Sequence, residues 1–332
     1  MLQLFRNNQI FTVIFVLIYA LVFSVNTWLY EGISLASFEQ LPSTIGAWLV
    51  DWVDSPMTNR LTFIVLLLVQ AFIVNLLINH FRLAKQHSYV PAVTYILVHF
   101  AGVGIDICSP VMLANSFMLW AFYSLLCSYE KRVSLATIFN VGFATAMAAL
   151  CYYGFIVYGL WIMLALFLLR SFDPQEFIIL LGGFFVPFFL IGTYHFVNSN
   201  LGNWFHTEIW AHYQQMTVHY DTTIGLYILI GFFVTPVILA LLQLQTLHFK
   251  TTSKEKKYIT MVLWMPLIGV FSFLFQSDLY AYHFLVLALP ISILLSLVLQ
   301  SFKSLALAEL FHLVLFMLAL GVQYQQFFFY ST

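Results

Sequence analysis

Charge is the scarcest commodity in this sequence. Only 12 Lys+Arg and 13 Asp+Glu occur among 332 residues, 8% of the chain, against about 25% in an ordinary soluble domain. The net charge of -1 supplies neither the basic excess of a nucleic-acid footprint nor an acidic solvating tail, so no nucleic-acid partner is expected. Cysteine is nearly absent too. Cys108, Cys127 and Cys151 each sit in or beside an apolar run, and an odd count without C-x-x-C spacing gives neither a disulfide framework nor a zinc site. There is no P-loop, no H-E-x-x-H and no G-x-S-x-G. Apart from Glu309, near the start of the last apolar run, no acid lies within such a run, which disfavours an ion-coupled transporter. Prenylation and retention motifs and internal repeats are also lacking, so attachment through spanning helices is expected.

Apolar residues make up 62% of the chain and aromatics 19%. A bilayer core about 30 Å thick takes roughly 20 apolar residues as helix. Eleven segments qualify: Ile10 to Trp28, Leu61 to Asn79, Val90 to Ile105, Val111 to Cys127, Ser134 to Cys151, Phe155 to Leu169, Phe177 to Phe196, Ile224 to Leu244, Tyr258 to Phe275, Phe284 to Leu299 and Leu305 to Gln323. The expected fold is therefore all-α, a polytopic transmembrane helix bundle of about eleven spans forming one domain over residues 1–332. The first segment follows Arg6 and is too long for a signal peptide, so it reads as an uncleaved span.

With the N-terminus in the cytoplasm, Arg6, Arg82, Lys85, Lys131, Arg132, Arg170, Lys250, Lys254, Lys256, Lys257 and Lys303 all fall on one side, eleven of the twelve basic residues. Only Arg60 falls outside, while Glu31, Glu39, Asp51, Asp54, Asp106, Glu208, Asp221 and Asp278 collect on the outer face. That is the asymmetry expected of correct helix parity.

Two outer loops are long, residues 30–60 and 197–223, and a basic cytoplasmic loop spans 245–258. In the first, Leu41, Ile45, Trp48, Leu49, Trp52 and Val53 recur at helical spacing, predicting an interfacial amphipathic helix. Its acids are the sharpest chemical signal, because a carboxylate at the mouth of a bundle can act as general base or hold a divalent cation. Glu31 directly follows the first span and is the best placed, although outer-loop acids also follow simply from solvation and charge asymmetry. The second loop gathers His206, His212 and His219 with Glu208 and Asp221. Their six- and seven-residue spacings are not those of two ligands on one helical face, so headgroup anchoring beside Trp204, Trp210 and Tyr213 competes with metal binding. His99, His195, His283 and His312 lie within or at the ends of spans, where each must find a polar partner. Asn75, Asn79, Asn115 and Asn140 suit interhelical hydrogen bonds, and Gly142, Ala146, Ala149, Gly182 and Gly183 suit close helix approach.

The layout resembles the GT-C superfamily of polytopic glycosyltransferases, which use polyprenyl-phosphate-linked donors on the outer face of the membrane. One span followed by a long outer loop with an interfacial helix and acids, and a second long loop after the seventh span, are similar to that family. So is the central stretch from Leu113 to Gly202, with the runs L-A-N-S-F-M-L-W-A-F, V-G-F-A-T-A-M-A-A-L, L-L-R-S-F-D-P-Q-E-F and G-G-F-F-V-P-F-F-L. The late span D-L-Y-A-Y-H-F-L-V-L-A-L-P-I-S-I-L-L-S, Asp278 to Ser296, adds to it. The resemblance implies a GT-C-like arrangement and an outward-facing site. There Glu31 would be the general base, Asp51 and Asp54 metal or acceptor contacts, and Arg60 and His206 would lie near phosphate, with His212, Tyr280 and Tyr282 as further substrate contacts. It implies membrane lipid and a polyprenyl-phosphate-linked sugar as partners, and leaves a divalent cation open as cofactor. The family shows an acidic pair at the start of the first outer loop, whereas Glu31 here stands alone after Tyr30. The alternative is a non-catalytic scaffold or subunit docking another membrane or envelope protein.

The chain also resembles a set of small multi-pass bacterial inner-membrane proteins, some described as carotene oxygenases, which implies an inner-membrane location. An iron oxygenase needs histidines converging at one depth, and this sequence scatters them.

Overall fold

A computed structural model gives the architecture and describes residues 2–6, 10–29, 45–46, 48, 55–84, 86–101, 108–130, 134–170, 173–208, 217–218, 223–243, 251–275, 278–279 and 281–324. The α-helices in chain order are α1 (Leu2–Arg6), α2 (Ile10–Leu29), α3 (Pro56–His80), α4 (Val90–His99), α5 (Pro110–Glu130), α6 (Leu135–Cys151) and α7 (Tyr158–Leu169). They continue with α8 (Pro174–Val197), α9 (Leu201–Glu208), α10 (Thr223–Leu242), α11 (Ser253–Gly269), α12 (Ala288–Ser301) and α13 (Leu305–Gln323). Three 3₁₀ segments, Tyr153–Val157, Val270–Phe275 and Ala281–Leu287, extend α7, α11 and α12. Two-residue strands β1 (Thr217–Val218) and β2 (Asp278–Leu279) pair in parallel.

Each of the eleven apolar segments carries helix. Among the described residues six helices are long and apolar enough to cross a bilayer: Pro56–His80, Pro110–Tyr129, Pro174–Val197, Ser253–Leu274, Tyr282–Ser301 and Leu305–Gln323. By length and composition they are those of a multi-pass membrane protein. The helix α4, expected to run to Ile105, ends at His99 with all ten residues buried. The expected interfacial helix of the first loop lies almost wholly outside the described residues, whereas the second loop holds α9, which apolar periodicity does not signal.

Helix starts follow local chemistry. The Ser55 and Ser134 hydroxyls accept the backbone N–H of Thr58 and Thr137 at 3.1 and 3.2 Å, and the Asp173 carboxylate accepts that of Gln175 at 3.0 Å. Thr252 and Glu255 form a reciprocal capping box before α11. Pro56 and Pro174 occupy first-turn positions whose N–H would have no intrahelical partner. At the other end, α3 and α8 close with Arg82 and Ser199 at φ 55° and 54°. The backbone N–H of Leu83 and Asn200 then reach back to the Ile78 and His195 carbonyls at 3.0 and 2.9 Å, satisfying groups the helix ends leave bare.

Contacts sort the chain into two ends. At one, the Tyr89 N–H donates to the Phe5 carbonyl at 2.8 Å, Arg6 Nη2 to the Leu299 carbonyl at 2.9 Å and Lys257 Nζ to the Leu169 carbonyl at 2.8 Å. The Arg170–Glu176 ion pair at 2.9 Å closes the α7–α8 turn there. At the opposite end, Asn59 Oδ1 accepts the Cys108 N–H at 2.9 Å and Asn115 Nδ2 donates to the Leu285 carbonyl at 3.0 Å. Arg6, Arg170 and Lys257 therefore share one end.

The core is centred on α4 and α12. The span containing α12 has 83% of its most apolar stretch buried, against 17% for α8 and 28% for α13. The Thr94 hydroxyl donates to the Ser292 carbonyl at 3.0 Å, joining the central pair. At the periphery, Leu76, Ile178, Phe189 and Leu242 are more than half exposed, an apolar exterior suited to hydrocarbon.

The closest backbone approach is between α6 and α8. A Cβ on Gly142 would lie 2.2 Å from the Leu180 carbonyl oxygen and one on Gly183 2.2 Å from that of Phe139. Backbone cannot swing away as a side chain can, so the helices would have to separate. Gly182 has nothing within 4 Å. Gly142→Val and Gly183→Val are expected to destabilise by about 1–3 kcal/mol or more, and Gly182→Ala not to. Thermal unfolding in detergent reads the difference, and equal melting temperatures would refute this packing.

Candidate functional site

Three spans abandon α geometry at the same end of the bundle, opposite Arg6 and Lys257, where the three 3₁₀ segments pack together. Sequence periodicity predicts continuous helix at each. For the third the cause is Pro290. It has no N–H for the Val286 carbonyl four residues back, and its ring crowds that carbonyl, so α-helix cannot extend N-terminally through it. The Tyr158 hydroxyl takes the vacated role, donating to the Val286 carbonyl at 2.8 Å. Room for it comes from Gly269, where a Cβ would lie 2.6 Å from the Tyr158 oxygen. The Asn115 amide serves the neighbouring Leu285 carbonyl.

His283 lies at the centre of this junction, fully buried. Its Nδ1 is 2.5 Å from the Tyr152 hydroxyl and its Nε2 is 3.3 Å from the Ser272 hydroxyl. Each of the three 3₁₀ regions thus contributes: Tyr152 precedes the first, Ser272 lies in the second and His283 in the third. A neutral imidazole presents one donor and one acceptor, and hydroxyls can play either part, so the chain of three satisfies both ring nitrogens in either tautomer. Phe273 meets the imidazole at 4.5 Å between ring centres. Gly154 gives clearance, since a Cβ there would lie 3.2 Å from His283 Cε1 and 3.0 Å from Tyr152 Cε1. Ser272 and Tyr152 are likewise buried. Chemically this is a hydroxyl–imidazole–hydroxyl chain in which the imidazole can donate to one hydroxyl while accepting from the other.

Of the residues nominated from sequence, Tyr282 joins this cluster. It is 4% exposed, and its ring stands edge-on to Tyr152 at 6.4 Å between centres. Arg60, the fifth residue of α3, lies part-exposed at the same end, next to the Asn59–Cys108 contact. His206 is exposed on α9, which packs back on α8 through Trp204 stacked on His195 at 5.4 Å. The pairing of β1 with β2 brings the second loop to the chain entering the 281–287 segment. Glu31, Asp51, Asp54, His212, His219, Asp221 and Tyr280 lie outside the described residues, as does the side chain of Glu208. Among the described residues no group of three or more His, Cys, Asp or Glu is arranged to hold a metal ion.

Each of the other buried histidines finds one partner, while His99 Nε2 and His312 Nδ1 are buried without a hydrogen-bond partner among the described residues. His99 Nδ1 is 2.9 Å from the Tyr95 carbonyl and His312 Nε2 3.3 Å from the Tyr19 hydroxyl. Sequence reading did not nominate Tyr152, Ser272 or Gly154. Pro290 preceded by a histidine seven residues upstream was the legible hint that the tenth span begins irregularly.

Comparisons with protein families, with curated proteins and with solved structures find no match.

Two outcomes follow from this geometry. Tyr152→Phe strands a buried imidazole nitrogen and should cost about 1–3 kcal/mol, whereas replacing Tyr152, Ser272 and His283 together by Phe, Ala and Leu should recover most of the loss. Melting temperatures of the single and triple variants decide it, and a harmless Tyr152→Phe would refute the hydrogen bond. Burial pushes the Cys108 thiol, just before α5, up to about 12. With its thiolate suppressed, Cys108 should resist maleimide at pH 8 until the protein is unfolded, while part-exposed Cys127 reacts first. Mass spectrometry of the labelled peptides checks the order.

Proposed function

We propose that this protein is a GT-C-type membrane glycosyltransferase, transferring sugar from a polyprenyl-phosphate carrier to an envelope glycan or glycoconjugate. Its topology in this reading has eleven spans in a bacterial inner membrane with the N-terminus in the cytoplasm. The observation that carries it is the concentration of irregular backbone and side-chain chemistry at one end of the bundle, the end away from the basic residues. Irregular backbone at membrane depth is tolerated where it is buried in protein or lines a cavity, and transporters and membrane enzymes build sites there. Tyr282 within the buried cluster, Arg60 at the same end and the β1–β2 link to the loop bearing His206 support the reading. Glu31 serves as general base, Asp51 and Asp54 contact acceptor or a divalent cation, and Arg60 with His206 meets phosphate.

A second reading, a non-catalytic scaffold or subunit, is favoured by one specific feature: Ser272, His283 and Tyr152 are sealed from outside. The test uses protein in nanodiscs supplied with polyprenyl-phosphate-linked radiolabelled sugar. Transfer should occur, a polyprenyl chain should be bound with its phosphate near Glu31, and Glu31→Gln should lower turnover by about 10²–10⁴-fold, the contribution of a general base. No bound carrier, a normally behaved Glu31→Gln and a stoichiometric co-purifying membrane protein would overturn glycosyl transfer in favour of the scaffold.

A further inference from the structure

At the other end of the molecule a groove of about 450 Å³ runs between α3 and α5, lined by Ile73, Leu76, Leu77, His80, Ser116, Leu119, Trp120 and Tyr123. It opens on the apolar exterior: Leu76, Trp120 and Tyr123 are 66%, 40% and 47% exposed. Its polarity is graded along the membrane normal. His80 is the last residue of α3, and exposed Arg82 and His87 follow in the connection to α4. Ile73 lies two helical turns deeper, roughly 10 Å at 1.5 Å per residue. Cationic and hydrogen-bonding groups thus sit at headgroup depth and apolar walls at acyl depth.

The floor is fixed from behind. Gln70 Nε2 donates to the Ser116 hydroxyl at 2.7 Å and the Met112 carbonyl at 2.8 Å, and Gln70 Oε1 accepts from the Tyr95 hydroxyl at 2.7 Å. That network ties the two walls to α4, so the groove is preformed rather than a gap that side chains can close.

We propose that this groove is a binding site for an anionic membrane phospholipid, with one acyl chain lying between α3 and α5 against Trp120 and the headgroup held by Arg82 and His80. The grading matches a lipid, which is charged at headgroup depth and hydrocarbon below it, in the order in which the groove presents His80 and then Leu76 and Ile73. The site is separate from the His283 end and does not depend on the glycosyltransferase reading.

The experiment places the protein in nanodiscs containing phosphatidylcholine with a small fraction of chain-brominated phosphatidylglycerol or, separately, chain-brominated phosphatidylcholine. Bromine quenches tryptophan at contact, and the Trp120 component is the difference between wild type and Trp120→Phe. Quenching of Trp120 should favour phosphatidylglycerol, and Arg82→Ala should reduce that preference about fivefold, the factor one basic residue contributes near an anionic lipid. Ile73→Trp, on the part-exposed wall, should crowd the groove and weaken quenching by either lipid. Circular dichroism and size-exclusion elution confirm that the variants fold. Equal quenching by the two headgroups, or preference unchanged in Arg82→Ala, overturns the proposal. So does a dimer in wild type that Ile73→Trp dissociates, which would make a second copy the occupant.

Discussion

Among apolar helices there is no water to complete a hydrogen bond, so any backbone carbonyl that a helix fails to satisfy must be met by a side chain. The arrangement of this bundle follows from that constraint. Tyr158 and Asn115 meet the Val286 and Leu285 carbonyls where Pro290 interrupts the helix. Trp161 Nε1 donates to the Met261 carbonyl at 3.1 Å, the Tyr258 hydroxyl to that of Leu126 at 3.1 Å and Gln323 Nε2 to that of Phe100 at 3.1 Å. Each contact joins elements far apart in sequence. The donors that satisfy backbone therefore also fix which helices are neighbours and at what height.

The same rule produces the difference between the two ends. Where helices end beside the basic residues, cations take the terminal carbonyls: Lys257 at the last residue of α7 and Arg6 two residues before the end of α12. A positive charge there also opposes the negative end of the helix dipole. Lys257 and Lys254 further lie over the rings of Tyr129 and Tyr258 at 5.1 and 5.5 Å. Four of the basic residues that set the charge asymmetry of the sequence, Arg6, Arg170, Lys254 and Lys257, are thus structural parts of helix termini. At the opposite end, the contacts described above use neutral amides, hydroxyls and imidazole, and the backbone runs in 3₁₀ form.

Much of this was legible in the sequence. An apolar helix is written in composition, so helix could be located in each of the eleven apolar segments, six of which are long enough to cross a bilayer among the described residues, and Gly142 and Gly183 were recognisable as small residues at a close crossing. Which small residues matter was not legible, because Gly182, beside Gly183, meets nothing. Three features escaped for physical reasons. A 3₁₀ segment has nearly the same apolar residues as α-helix, so the change at Val270–Phe275 leaves no periodic trace. The helix α9 is only eight residues long and is held against α8 by the Trp204–His195 stack. The partners of His283 come from positions 131 and 11 residues away, a juxtaposition made only by the fold. Asn115 was expected to bridge helices and does, whereas Asn79 binds Ser88 in the following connection at 3.0 Å.

That last distinction separates structural polar groups from those that structure alone does not require. Asn115, Tyr158, Trp161 and Tyr258 each donate to a backbone carbonyl of another element and so tie the fold together. Among the described residues the Tyr152–His283–Ser272 chain is joined by hydrogen bonds that run from side chain to side chain. Apolar residues of the same volume could fill that space without stranding any of these partners, at little or no cost in stability. Its position coincides with the irregular ends of three spans and lies close to the strand pairing that links two loops. A polar chain that the fold does not need, set where the backbone is least regular, is better accounted for by chemistry or gating at that end than by packing.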